Sequence, residues 1–254
     1  MLGKGQVTPE NIALTGQKDF FYSLVSASDK GEDHMTRSRV PETNQGIQGQ
    51  LTVEIYDQMQ RRLRDKGWIE TRDITKSGIT HGLALEIGPG PGYLGLEWLK
   101  NTQGTTLKGL DISADMIAVA ERNARAYGLD ERVEYIHSSG AKLPFEDRLF
   151  DAVFTASSLH EWSEPKETLH EAWRVLKLGG RLLISDFRRD MSPLLKWCLW
   201  LIAKPKAIRP GLLTSINAAY TPDEIRALIR ETELSSCEVT GSPIGLKVIG
   251  IKRM

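Results

Sequence analysis

Glu86-Ile87-Gly88-Pro89-Gly90-Pro91-Gly92 decides the fold. Leu83 to Ile87, which leads into it, is an apolar run of strand length, and Tyr93 to Leu99 after it reads as a helix. Glycines in a turn between strand and helix let the backbone bend tightly and let a ligand approach it closely. About 20 residues further on, Asp111 closes the next apolar run, Thr106 to Leu110. A carboxylate at that strand end can accept hydrogen bonds from both hydroxyls of a ribose.

Outward from this pair the same alternation repeats. Ser113 is placed to N-cap a helix running to Tyr127, with Gly128 as its C-cap. Val133 to His137 and Phe150 to Ala156 read as strands. Pro165 opens a helix through Leu176, and Gly179-Gly180 turn into a strand from Arg181 to Ser185. Thr221-Pro222-Asp223-Glu224 is a capping box that starts a helix to about Glu231. Glu238 to Thr240 and Lys247 to Ile251 close the chain as a strand pair. Strands alternating with helices imply an α/β fold, a Rossmann-like doubly wound sheet of about seven mostly parallel strands with an antiparallel C-terminal strand. Ligands in such sheets bind at the carboxyl ends of the strands.

Residues 1–75 read as an N-terminal arm and helical lid. Residues 1–50 are polar and irregular, and Leu51, Ile55, Met59 and Leu63 then recur at helical spacing. Residues 76–254 form the second unit, with a cap insertion at about 191–220. The 254 residues carry 33 basic and 33 acidic groups. That balance argues against a nucleic-acid partner, which needs a cationic excess. Residues 191–254, however, hold nine basic and five acidic groups, and the excess lies at Lys196, Lys204, Lys206 and Arg209. Two cysteines, Cys198 and Cys237, make neither a disulfide framework nor a cysteine zinc site. The expected setting is the reducing cytoplasm, with no secretory leader and no transmembrane segment. The longest apolar stretch, Leu194 to Ala203, is broken by Lys196 and too short to span a bilayer.

Two cofactors suit a glycine turn followed by an acidic strand end. A dinucleotide fingerprint needs G-x-G-x-x-G. Counted from Gly88 it fails at Tyr93; counted from Gly90 it is met by Gly92 and Gly95 but starts two residues late. Pro89 and Pro91 also remove backbone donors that a pyrophosphate would use. Four segments in order resemble the class I S-adenosylmethionine-dependent methyltransferases. They are Glu86 to Gly92; Leu110-Asp111-Ile112-Ser113 with Met116; Ala141 to Phe145 followed by Phe150 to Val153; and Arg174 to Ile184. The resemblance runs from about Leu83 to Asp186 and implies S-adenosyl-L-methionine as cofactor, with S-adenosyl-L-homocysteine as product. It implies that Gly88, Gly90 and Gly92 pass beside the methionine and ribose and that Glu86 helps order their loop or meets the amino group indirectly. Asp111 would hold the ribose, Ile112 the adenine, the backbone of Gly140 and Ala141 the adenine edge, and Ala156 and Ser157 the methionine moiety, with Met116 and Ser139 also at the cofactor. The family often has Asp where this chain has Gly140; Ser138, Ser139 or a carbonyl then takes over that contact.

The implied activity is methyl transfer to a small-molecule acceptor by in-line displacement. The protein's part is alignment and a dry site, with no metal required. His160 and Glu161, after the fourth strand, are the base candidates should the acceptor lose a proton. Tyr22, Tyr56, Met59, Trp162, Trp197, Arg209 and Tyr220 are the acceptor-pocket candidates, and His34 and Arg37 lie in a segment placed to close over the site. Met191 to Pro210 caps the site in the first reading; a homodimer contact and a membrane-facing surface are the others. A basic, tryptophan-bearing cap suits an anionic or lipid-like acceptor. The alternatives are a non-catalytic cofactor-binding module, a methyltransferase acting on RNA or protein, and a NAD-dependent oxidoreductase.

Overall fold

A computed structural model describes residues 38–42 and 46–253. Among them lie eight α-helices: α1 (Gln50–Asp65), α2 (Thr71–Lys76), α3 (Tyr93–Lys100), α4 (Ala114–Tyr127), α5 (Pro165–Val175), α6 (Pro193–Ile202), α7 (Arg209–Ala218) and α8 (Pro222–Arg230). The strands are β1 (Leu83–Ile87), β2 (Thr106–Asp111), β3 (Val133–His137), β4 (Phe150–Ala156), β5 (Leu176–Phe187), β6 (Glu238–Gly241) and β7 (Gly245–Ile251). They form one sheet in the order β3-β2-β1-β4-β5-β7-β6. The first five are parallel, and β7 and β6 are antiparallel. The order reverses between β1 and β4, so the crevice at their carboxyl ends is the switch point where ligands bind.

Alternation along each strand sends neighbours to opposite faces. Leu85, Val153 and Leu182 pack on one side with Leu169 and Trp173 of α5 and Ile225 of α8. Ala84, Phe154 and Leu183 pack on the other with Ile74 of α2 and Trp98 and Leu99 of α3. Both faces are therefore covered, as a parallel sheet requires.

The local signals set the helix ends. Ser113 Oγ accepts from Met116 N at 3.2 Å, and Gly128 closes α4 at φ +65°. Both halves of the Thr221–Glu224 capping box form. Strand β5 begins at Leu176 rather than Arg181, because Gly179, at φ +79°, donates to Lys252 O and holds the glycine pair within the sheet. Helices α6 and α7 occupy the segment of the expected cap, and α2 forms in a stretch without a clear helical pattern.

Helix α1 is seated by Asp57, which is fully buried. Its carboxylate accepts from Tyr93 Oη at 3.0 Å, Asn123 Nδ2 at 2.9 Å and Arg61 Nη2 at 2.8 Å. One side chain thus joins α1 to α3 and α4.

Candidate active site

The glycine turn stands over the switch point. Gly88, Gly90 and Gly92 all take positive φ, at 68°, 52° and 83°. Such backbone is cheap only for glycine. A Cβ on Gly88 would also lie 2.7 Å from Ser158 Cβ. The turn is tied to the next strand: Gly88 N donates to Leu110 O at 2.8 Å, and Gly90 N to Asp111 Oδ2 at 3.0 Å. The other carboxylate oxygen of Asp111 accepts from Ser113 N at 2.9 Å. Burial raises the Asp111 carboxyl, against the N–H groups of Ser113, Gly90 and Ile112. Both oxygens keep a further lone pair for hydroxyls in the cleft.

The cleft spans the ends of β1, β2, β3 and β4 and encloses about 770 Å³ of space counted out to open solvent. Gly88, Gly90, Asp111, Ile112, Met116, Ser139, Gly140 and Ser157 all line it, as do Tyr56, Glu161 and Trp162. Ser157 holds a left-handed backbone at φ +56°, unusual outside glycine, and its N–H donates to Ser185 O at 2.9 Å. Gly46, Ile47, Ser158 and Thr168, which are not among the sequence candidates, also line the cleft. Gly46 and Ile47 belong to the arm. Ser113 Oγ donates to Ile47 O at 2.6 Å, and Gly49 N donates to Asp115 Oδ2 at 2.8 Å. Their spacing carries no signal; only the folded arm brings them over Ile112.

Other residues named from the sequence sit elsewhere. Glu86 is buried behind the turn with Oε2 unpartnered. Burial pushes its carboxyl up to about 8, Asp111 adds to the rise, and the Gly95 N–H opposes it. Gly92 starts α3 and faces Tyr135 rather than the cleft. Ala141, Ala156 and Met59 are not among the lining residues. Arg209 Nη2 donates to Leu201 O at 2.8 Å, and its guanidinium lies 4.3 Å from the Trp200 ring, so it closes the end of α6. Trp197 is exposed on α6. Tyr220 stacks under Arg39 at 4.3 Å. Tyr22, His34 and Arg37 lie outside the described residues.

His160 and Glu161 form a short 3-10 turn with Leu159. His160 is buried behind Glu161. Its backbone N–H donates to Asp186 Oδ2 at 2.8 Å, and its Nδ1 lies 2.9 Å from Asp186 Oδ1. Nε2 points the other way, 3.9 Å from Glu161 Oε1 and 4.0 Å from Glu42 Oε2. Burial works against the imidazolium, but the Asp186 charge and hydrogen bond, with Glu161 and Glu42, hold it up to about 9. Burial pushes Glu161 up to about 7, against His160 and with help from Glu42 and Asp111. One ligand atom each of Glu42, His160 and Glu161 lies within 4.8 Å of the others. The arm fastens the turn from outside: Arg39 Nη2 donates to His160 O at 3.0 Å and its Nε to Ala218 O at 2.6 Å.

The lining carries Asp111 and Glu161 and, among the described residues, no lysine, arginine or histidine. A pyrophosphate would meet two carboxylates there and no cation. A sulfonium with a ribose diol meets matching charge and paired acceptors. The residues present therefore fit S-adenosylmethionine and fit a dinucleotide poorly.

Comparison with known proteins agrees. Residues 85–184 match the family model described as a methyltransferase domain. A demethylmenaquinone methyltransferase of Clavibacter sepedonicus is 36% identical over 140 residues, covering 52% of this chain and 54% of that protein. A ubiquinone/menaquinone biosynthesis C-methyltransferase of Bartonella tribocorum is 31% identical over 121 residues, covering 47% and 46%. The chain spans about half the length of the curated relatives it matches. An S-adenosyl-L-methionine-dependent methyltransferase of Methanococcus maripaludis shares the fold with a TM-score of 0.66 at 21% identity, over 86% of this chain and 98% of that one. The switch-point cleft, the glycine turn and Asp111 thus lie within the stretch that matches the methyltransferase domain, on a fold shared with an S-adenosyl-L-methionine-dependent methyltransferase.

Proposed function

We propose that the protein transfers the methyl group of S-adenosylmethionine to a small apolar acceptor bearing a hydroxylated ring, of the quinol type. The observation that carries the reading is the cleft itself: an acidic, cation-free lining with Asp111 on one side and Glu161, Trp162 and Tyr56 on the other. Similarity to proteins named for demethylmenaquinone methylation supports the ring acceptor.

S-adenosylmethionine, when bound, supplies an electrophilic methyl carbon on a sulfur that leaves as a neutral thioether. Asp111 would hold the ribose hydroxyls, and Gly88 and Gly90 would let the backbone pass close to the ligand. Trp162, whose Nε1 donates to Ser158 Oγ at 3.2 Å, and Tyr56 give the acceptor ring apolar walls. Glu161 faces the cleft and takes a proton from the acceptor, which makes the ring carbon or oxygen a better nucleophile. His160 is a positioning residue: as an imidazolium anchored by Asp186 it favours the ionised form of Glu161.

The test is incubation of the full chain with S-adenosylmethionine and a short-chain demethylmenaquinol, read by mass spectrometry. The expected outcome is a quinol heavier by one methylene, formed in step with S-adenosylhomocysteine. A methyl group found only on protein or RNA substrates, with the quinol untouched, overturns the acceptor assignment.

A further inference from the structure

Helix α6 has two apolar sides. Leu195 is buried and Leu199 packs beside it, in a cluster with Met191, Ile216, Phe187 and Ile244. The opposite side carries Leu194, Trp197 and Leu201, which are 53%, 57% and 40% exposed, and Ile202 at the helix end is 45% exposed. Positions 194, 197 and 201 recur at the spacing of a single helical stripe. Leu213 of α7, which packs against α6, is exposed as well. Monomeric proteins rarely leave so many large apolar side chains together in water without a use for them.

The charge around the stripe indicates what covers it. From Met191 to Pro222 there is no aspartate or glutamate, while Lys196, Lys204, Lys206 and Arg209 lie within that stretch. Lys204 and Lys206 are exposed, just past the C-terminal end of α6. A two-fold contact between copies would set this basic patch against itself. An anionic partner is complementary instead, and an apolar stripe edged by lysines with an exposed tryptophan has the make-up of a helix lying in a lipid headgroup layer. Ten residues of helix span about 15 Å, half of a bilayer core, so α6 can lie on a membrane but not cross one.

We propose that α6, with Lys204 and Lys206, is a docking surface for an anionic lipid bilayer. Leu194, Trp197 and Leu201 sit below the phosphates, and the lysines bind them. The surface adjoins the site: α7 packs on the turn of Leu159 to Glu161, and the turn of Lys206 to Ile208 packs on α1. Docking would therefore turn the acceptor side of the cleft toward the lipid. This inference concerns where the protein sits and holds whatever the acceptor is.

The experiment is co-sedimentation of the full chain with vesicles of pure phosphatidylcholine and with vesicles containing phosphatidylglycerol. Binding is expected to the anionic vesicles only, and to fall at about 0.5 M salt, where screening is strong. Lys204→Glu with Lys206→Glu should weaken it about thirtyfold or more, at about fivefold for each lysine lost. Leu194→Glu should weaken it as well. Binding of S-adenosylhomocysteine should be unchanged in both variants, which shows that they fold. Equal sedimentation with neutral and anionic vesicles, or none with either, overturns the proposal. So does a concentration-dependent dimer in light scattering that Leu194→Glu dissociates, since the stripe would then be a self-contact.

Discussion

Glu161 and His160 show how neighbouring residues acquire different roles from their surroundings. Both lie in one 3-10 turn, yet one faces the cleft and the other a buried aspartate. A base works only when unprotonated, so a Glu161 carboxyl held near about 7 gives a rate that rises as pH climbs through that value. Glu161→Gln is expected to lower turnover about 10²–10⁴-fold and to remove that rise, with S-adenosylhomocysteine affinity nearly unchanged. A pH–rate profile of the variant that keeps the rise shows that another group is the base. The residue types at 160 and 161 were legible in the sequence as acid–base candidates. Their division of labour was not, because Asp186 and Glu42, which set it, come from β5 and from the arm.

At the scale of elements, the strands and the helices α3, α4, α5 and α8 follow from apolar periodicity and caps, which act within a few residues. Helix α1 was legible as a helix, but its docking was not. A charged side chain at position 57 reads as solvated, and the structure buries it completely. It is stable there because Tyr93, Asn123 and Arg61 satisfy the carboxylate. Asp57→Ala leaves Tyr93 Oη and Asn123 Nδ2 without this acceptor and is expected to cost about 3 kcal/mol in urea unfolding. A loss below about 0.5 kcal/mol would mean that α1 is held by its apolar contacts alone. Helix α6 was legible only as an apolar, basic insertion. Its two-sided pattern gives no single core-facing stripe, and that same pattern leaves one side for lipid.

For the whole molecule, the neutral total charge hides an acidic cofactor cleft and a basic docking face. Glu86, buried behind the glycine turn, sets a pH limit on stability. Its carboxyl is raised from 4.5 to about 8 in the folded protein, so the folded state holds a proton that the unfolded chain releases at lower pH. That contribution is present in full below the unfolded value and is lost as pH rises through about 8. Chemical unfolding between pH 5 and pH 9, read with about one-unit steps, should show stability falling with pH, and Glu86→Gln should flatten the fall. A variant that keeps the slope places it in other groups. The Rossmann-like sheet, its switch point and the glycine turn were legible because each rests on local chain geometry. The arm over Ile112 was not, since its contacts are backbone carbonyls and N–H groups that no sequence pattern marks.

The proposed function depends on the cleft between the glycine turn and Asp111 binding S-adenosylmethionine. The direct test is calorimetric titration of S-adenosylhomocysteine into the full chain, alongside NAD, and into the Asp111→Ala variant. Loss of a charge-assisted pair of hydrogen bonds is worth about 1–3 kcal/mol, or about tenfold and upward in affinity. The expected result is micromolar binding of S-adenosylhomocysteine, no heat from NAD, and at least about a tenfold loss in the variant. Binding of NAD alone, or a dissociation constant for S-adenosylhomocysteine that Asp111→Ala leaves unchanged, would contradict it.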